Sequence, residues 1–202
     1  MAKLKLNHTD FLVGSFQPKK INLIFIFQLS SPKAMLEAAP VFNDMYNQYK
    51  KEIGFVGLST AIEDYKINTK ENTIDWLVNK TVFGNVANYL DSLGKDEYPN
   101  KIQFPVTCDP LLNAEAVLEN DIEQMMQLNR NYKHWSESDK ISVRLQIRTY
   151  LMRQEKIAYT FTYNQLRDVP AFVIFNKEFE ILETWYDHKN RFEVKEVLEK
   201  YL

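Results

Sequence analysis

The sequence predicts one α/β domain, and three observations carry that prediction. Short, dense apolar runs alternate with helical periodicity through the first half of the chain, in the order β-α-β-α-β. That order implies parallel strands joined by right-handed crossovers. The end of the chain reads instead as a β-hairpin followed by a closing helix. Between the two halves, residues 111–166 read as a helical insertion. A length of 202 residues suits a single domain spanning 1–202.

The elements follow in order. Ile21 to Phe27 is β-branched and aromatic, interrupted only by Asn22, which favours a strand buried on both faces. Ser30-Ser31-Pro32 marks a turn with a serine available as helix cap. Met35, Leu36, Ala39, Phe42, Met45, Tyr46 and Tyr49 recur at helical spacing, predicting a helix over 32–50 kinked at Pro40. Ile53 to Leu58 is a second buried strand, and residues 60–75 read as a polar loop. Helical periodicity returns at Trp76-Leu77 and from Val82 to Leu93, closing at Gly94. Ile102, Phe104, Val106 and Cys108 alternate as a third strand. In the insertion, one helix is predicted over 111–128. A second covers 136–154, opened by the capping-box pattern Ser136-x-x-Asp139. Ala171 to Phe175 and Phe179 to Trp185 form the hairpin, and Phe192, Val197, Leu198 and Tyr201 place the final helix.

Composition excludes several classes of function. A net charge of −2 argues against a strongly basic nucleic-acid binder or a polybasic membrane anchor. The single cysteine, Cys108, excludes an internal disulfide, a C-x-x-C redox pair and a cysteine-rich zinc site. The five glycines form neither of the usual phosphate loops. His8, His134 and His188 lack metal-ligand spacing, so no metal or cofactor is implied. Asp10, Asp109, Asp168 and Asp187 read as solvated loop carboxylates, with no acid/base pair among them. No apolar run is long enough to span a bilayer. No leader is present as written, which favours the cytoplasm; a removed leader would place the chain in the bacterial envelope.

Two segments carry a resemblance. Phe27-Gln-Leu-Ser-Ser-Pro-Lys-Ala-Met-Leu-Glu-Ala-Ala-Pro40 ends a buried strand and opens a proline-containing helix. Asp168-Val-Pro-Ala-Phe-Val-Ile-Phe-Asn-Lys-Glu-Phe-Glu-Ile181 leads into the hairpin. Together they resemble the thioredoxin-like superfamily, most of all its TlpA-like and redoxin branch, over roughly 21–110 and 168–202. Phe27, Glu37, Pro40, Val169, Pro170, Phe172 and Ile174 match the family pattern. The resemblance implies a three-layer sandwich with a mixed central sheet, the 171–175 strand antiparallel to the 21–27 strand, a cis Pro170, and the insertion between the third strand and the cis-proline hairpin. It also implies that the two family cysteines fall on Pro32 and Met35, neither of which supplies a thiolate.

The resemblance therefore implies the fold while withholding its dithiol chemistry. The candidate ligand-binding region is Ser30, Ser31, Pro32, Lys33, Met35, Val169 and Pro170, and for the two serines and Pro32 helix capping is the plainer role. Cys108, with Phe104 and Val106 on its strand face, is either an inert core thiol or a lone reactive thiol at the carboxyl end of a strand. Residues 130–168 hold eight cations, Arg130 among them, against four anions, leaving the rest of the chain at −6. Lys140, Arg144 and Arg148 form one helical stripe, with Ile141, Val143, Leu145, Ile147 and Leu151 expected to pack on the domain. Three functions follow. The first is a redox-inactive thioredoxin-like module binding a protein or peptide, acidic if the stripe is its contact. The second is a thiol oxidoreductase or peroxidase acting through Cys108. The third is a structural subunit that forms a homo-oligomer through the insertion.

Overall fold

A computed structural model describes residues 2–129 and 131–202; Arg130 of the charge count lies outside them. The centre is a five-stranded mixed sheet in the order β3-β2-β1-β6-β7. Its strands are β1 Ile21–Phe27, β2 Ile53–Ser59, β3 Val106–Cys108, β6 Ala171–Asn176 and β7 Ile181–Tyr186. The two short strands between, β4 Leu111–Leu112 and β5 Ile157–Ala158, pair antiparallel at the neck of the insertion. β1 runs parallel to β2, in a register from Ile21↔Ile53 to Phe27↔Ser59, and β2 runs parallel to β3. β6 is antiparallel to β1 and to β7.

Every residue of β1 is buried, as its dense apolar run predicts, Asn22 included. Its odd-numbered face packs Leu23, Phe25 and Phe27 against helices α1 (Ala39–Tyr49), α2 (Lys70–Asn79), α3 (Gly84–Ser92) and α7 (Arg191–Glu199). The aromatic residues are largely spent here. Phe25 stacks on Phe27 and on Phe172, each at 5.0 Å, and Phe172 stacks on Trp185 at 4.9 Å. The even-numbered face packs Ile24 and Ile26 under Phe161, Leu4, Leu6, Phe11 and Phe16. The extended N-terminal segment and the insertion's last helix, α6 (Tyr159–Tyr163), thus make the third layer. Asn22 survives inside β1 because its side chain is satisfied, donating to the carbonyls of Lys19 and Phe175 and accepting from the Lys19 amide. Gly54 opposite it is required: a Cβ there would lie 2.2 Å from Asn22 Oδ1.

Several elements depart from the expected spans. Lys33–Ala38 is a π-helix leading into α1. The Phe104 end of the alternating run is not strand; Pro105 has no N–H for the ladder, although its carbonyl still accepts from Gly57 at 2.8 Å. α2 begins at Lys70, inside the expected loop, capped by Thr69 accepting from Asn72 N–H. Only Thr73 and Trp76 of α2 are fully buried, too narrow a stripe to show as periodicity. The insertion's first predicted helix is broken into β4, a 3₁₀ turn at Ala114–Ala116 and α4 (Glu119–Gln127).

The second insertion helix, α5 (Glu137–Leu151), has the expected capping box, with Ser136 Oγ accepting from Asp139 N–H at 3.1 Å. Its orientation corrects the sequence reading. Val143, Ile147 and Leu151 face α4, but Ile141 and Leu145 stay exposed. The basic stripe instead turns toward acidic groups of the insertion itself. Arg144 pairs with Glu123 and Arg148 with Glu119 on α4, and Lys140 reaches Glu137 at 2.7 Å. The arginines flank the packed face: their stems cover apolar surface while their heads are paired, and Arg148 stays 54% exposed at the border of the outer face.

Candidate functional site

The residues of the expected ligand-binding region gather at the carboxyl end of β1. Beyond Phe27 the chain turns through buried Gln28, Leu29 and Ser30. Asn68 holds that turn: its Oδ1 accepts from Leu29 N–H at 2.7 Å, and its Nδ2 donates to Ser30 Oγ at 3.3 Å. Ser31 Oγ accepts from Ala34 N–H, so both serines serve the turn and the helix start. Pro32 is half-buried and Lys33 exposed, whereas the Met35 side chain is 1% exposed and belongs to the core.

Val169 and Pro170 join this region through one ion pair. Lys33 Nζ lies 2.8 Å from Asp187 Oδ2, and the Asp187 amide donates to the Pro170 carbonyl at 3.0 Å. The hydrogen bond and charge of Asp187 raise the Lys33 pKa, and the same bond from Lys33 lowers that of Asp187. Both side chains are more than half exposed, so the pair positions more than it stabilises. The Val169–Pro170 peptide bond is cis. The Val169 amide donates to the Asp168 carboxylate at 2.8 Å. The site therefore presents backbone groups, one ammonium and two carboxylates, with no thiol among them.

Cys108 lies elsewhere, at the end of β3 opposite Ser59. It is 6% exposed, and burial pushes its thiol up to about 11. A cavity of about 260 Å³ beside it is lined by Ser59, Asn68, Lys70 and Asp109, so Asn68 separates this cavity from the Ser30 turn. A thiol so raised is almost wholly protonated at neutral pH and is a poor nucleophile.

Asp109 is the residue that sequence reasoning missed. It was expected to be a solvated carboxylate, but it is 5% exposed. Its Oδ1 accepts from Thr160 N–H at 2.7 Å, and its Oδ2 from Phe161 N–H and Thr60 Oγ1, each at 3.0 Å. It thereby clasps the first turn of α6 to the loop after β2. Burial raises its pKa to about 6, against the pull of those donors. The partners lie 49 to 52 residues from it in the chain, so no local pattern announces them. Asp168 and Asp187 are exposed, as loop carboxylates are expected to be. Among the described residues no three His, Cys, Asp or Glu side chains converge as a metal site, and no helix is long and apolar enough to cross a membrane.

Neither the family models nor the curated proteins match this chain. Solved structures do. A thiol-disulfide isomerase from Corynebacterium glutamicum superposes with a TM-score of 0.59 at 14% identity, over 99% of this chain and 95% of that one. A thioredoxin-like superfamily protein gives 0.58 at 11% identity, over 100% and 96%. The dsbF protein of Mycobacterium tuberculosis gives 0.50 at 12%, over 100% and 98%. These likenesses extend over the insertion as well as the sheet. Sheet order, strand directions and these superpositions agree: the chain has a thioredoxin-like fold, and its one cysteine cannot form the disulfide pair of a C-x-x-C site.

Proposed function

We propose that this chain is a redox-inactive thioredoxin-like protein that binds a protein or peptide segment at the surface around Val169 and Pro170, bordered by the insertion. The observation that carries this reading is the burial of the thiol: Cys108 is buried with its pKa raised, and of the two positions that the resemblance assigns to the family cysteines, Pro32 has no thiol and Met35 is sealed in the core. Exchange needs an accessible thiolate and a resolving partner, and neither is offered. What remains at the surface is backbone beside Pro170, with Lys33 and Asp187 at its rim. The basic stripe adds little net pull toward an acidic partner, because Glu119, Glu123 and Glu137 already offset its charge.

The likeness to thiol-disulfide oxidoreductases supports a second reading, a thiol-dependent enzyme acting through Cys108. One experiment separates the two. Reduction of a protein disulfide by dithiothreitol is followed with the native chain and with Cys108→Ser. The binding reading expects no acceleration from either. Acceleration lost on Cys108→Ser supports the enzyme instead. The binding half is tested by capture from the native source with the intact chain and with Val169→Asp. Partners held by the native chain and lost from the folded variant support the surface. Identical capture by both removes Val169 from it.

A further inference from the structure

We propose that the outer face of α5 is a self-association surface, pairing antiparallel with α5 of a second copy of this chain. Among the described residues the face is an unpartnered stripe. Ile141 is 64% exposed and Leu145 63%, one turn apart, and Met152 just past the helix end is 59% exposed. Residues at i, i+4 and i+11 share one side of a helix. The opposite side of α5 is already spent on α4, through Val143, Ile147 and Leu151. Leu118, 65% exposed, precedes the Glu119 that holds Arg148, which brings it to the same end of the stripe.

The charges on this stripe select the occupant. Glu137 stands on it at the amino end of α5 and Arg148 toward the carboxyl end, so the stripe is acidic at one end, apolar in the middle and basic at the other. Such a pattern complements itself only when a second copy lies antiparallel. With the two-fold axis beside residue 143, Ile141 faces Leu145 of the second copy. Glu137 lies six residues from that axis and Arg148 five residues beyond it, a rise of about 9 and 7.5 Å, so each glutamate meets the other copy's arginine. The helix dipoles are then antiparallel as well. A parallel arrangement would set like charge on like charge at both ends. The existing partners do not block the contact: Glu137 is 85% exposed while paired to Lys140, Arg148 is 54% exposed while paired to Glu119 and has donors to share, and exposed pairs of this kind are held weakly. An isologous contact of this kind closes as a dimer and does not propagate. One helix pair is smaller than a standard interface, so the dimer is a weak one, with a Kd on the order of micromolar. This inference is independent of the redox reading.

Sedimentation equilibrium of the full chain across a dilution series tests it. The native chain is expected to pass from monomer to dimer. Leu145→Glu is expected to weaken association at least about tenfold, with an unchanged far-ultraviolet spectrum because Leu145 is exposed. Glu137→Arg alone and Arg148→Glu alone should each weaken the dimer. Mixed, they should recover it, since one Glu/Arg contact of the mixed dimer is then native and the other is restored with reversed sign. A chain that stays monomeric at every concentration, or a dimer indifferent to Leu145→Glu, overturns the proposal. A dimer lost on Leu145→Glu but not recovered on mixing the charge variants overturns the antiparallel register.

Discussion

Pro40 has no N–H, and in the π-helical pattern that precedes it the carbonyl left without a donor is that of Met35. The neighbouring bond of the same pattern is present, from the Ala39 amide to the Ala34 carbonyl. Tyr98 supplies the missing donor, its hydroxyl lying 2.6 Å from the Met35 carbonyl oxygen. Tyr98 is 1% exposed, and burial drives its phenol pKa upward, so it remains a donor at any physiological pH. Tyr98→Phe would keep the ring and its edge contact with Trp76 but strand the buried carbonyl. The expected loss is about 1–3 kcal/mol of stability, the cost of an unsatisfied buried polar group. Urea unfolding of native and variant chains measures it; an unchanged midpoint would mean that the Met35 carbonyl finds another donor. A second consequence sits at Cys108. Its thiol should react with an aromatic disulfide reagent far more slowly in the native chain than in denaturant, because both burial and the raised pKa withhold the thiolate.

Elements legible in the sequence are those whose stability is local or whose burial is two-sided. β1, β2 and β6 announce themselves as short, dense apolar runs, and α5 announces its start through Ser136 and Asp139. The candidate site was legible to the same degree. Pro32, Lys33, Val169 and Pro170 are drawn together by a strand end and a hairpin that the sequence marks. The Lys33–Asp187 pair, 154 residues apart, had no local signal. β5 and α6 were invisible for a related reason. They are two and five residues long, below the length at which periodicity speaks, and they are held by contacts from distant chain. Besides Asp109, the Thr160 hydroxyl donates to the Asn7 carbonyl at 2.7 Å, and Asn164 exchanges two hydrogen bonds with the backbone of Lys5. Asp109→Asn is therefore expected to loosen α6 before the sheet, since an amide offers one acceptor oxygen where the carboxylate offers two. Hydrogen exchange should quicken at residues 157–166 and stay slow in β1 and β2. Uniform quickening would show that the clasp and the sheet open as one unit.

At the scale of the whole molecule, the buried carboxylate of Asp109 makes stability depend on pH in an unusual direction. Its pKa is about 6 in the folded chain against an ordinary value of 3.8, so the folded state binds the proton more tightly than the unfolded state. The resulting stabilisation is fully present below 3.8 and is lost as pH rises through about 6. A shift of this size corresponds to about 3 kcal/mol. Other carboxylates work the opposite way. Tyr132 and Arg144 hold the Glu123 pKa down, Lys33 that of Asp187, and Ser136 that of Asp139, so their contributions exist above the carboxylate range and fade as pH falls. Asp187 and Asp139 are largely exposed and Glu123 partly so, and solvent screens all three, so each counts for less than Asp109. The native curve alone mixes the two directions, and comparison with Asp109→Asn, which has no titrating group at that position, separates them. The difference in unfolding free energy should favour the native chain most below pH 3.8 and shrink by about 3 kcal/mol on passing from there to pH 8. A difference that stays flat over that range would mean that the donors from Thr60, Thr160 and Phe161 cancel the cost of burial. A difference that grows with pH would mean that they exceed it.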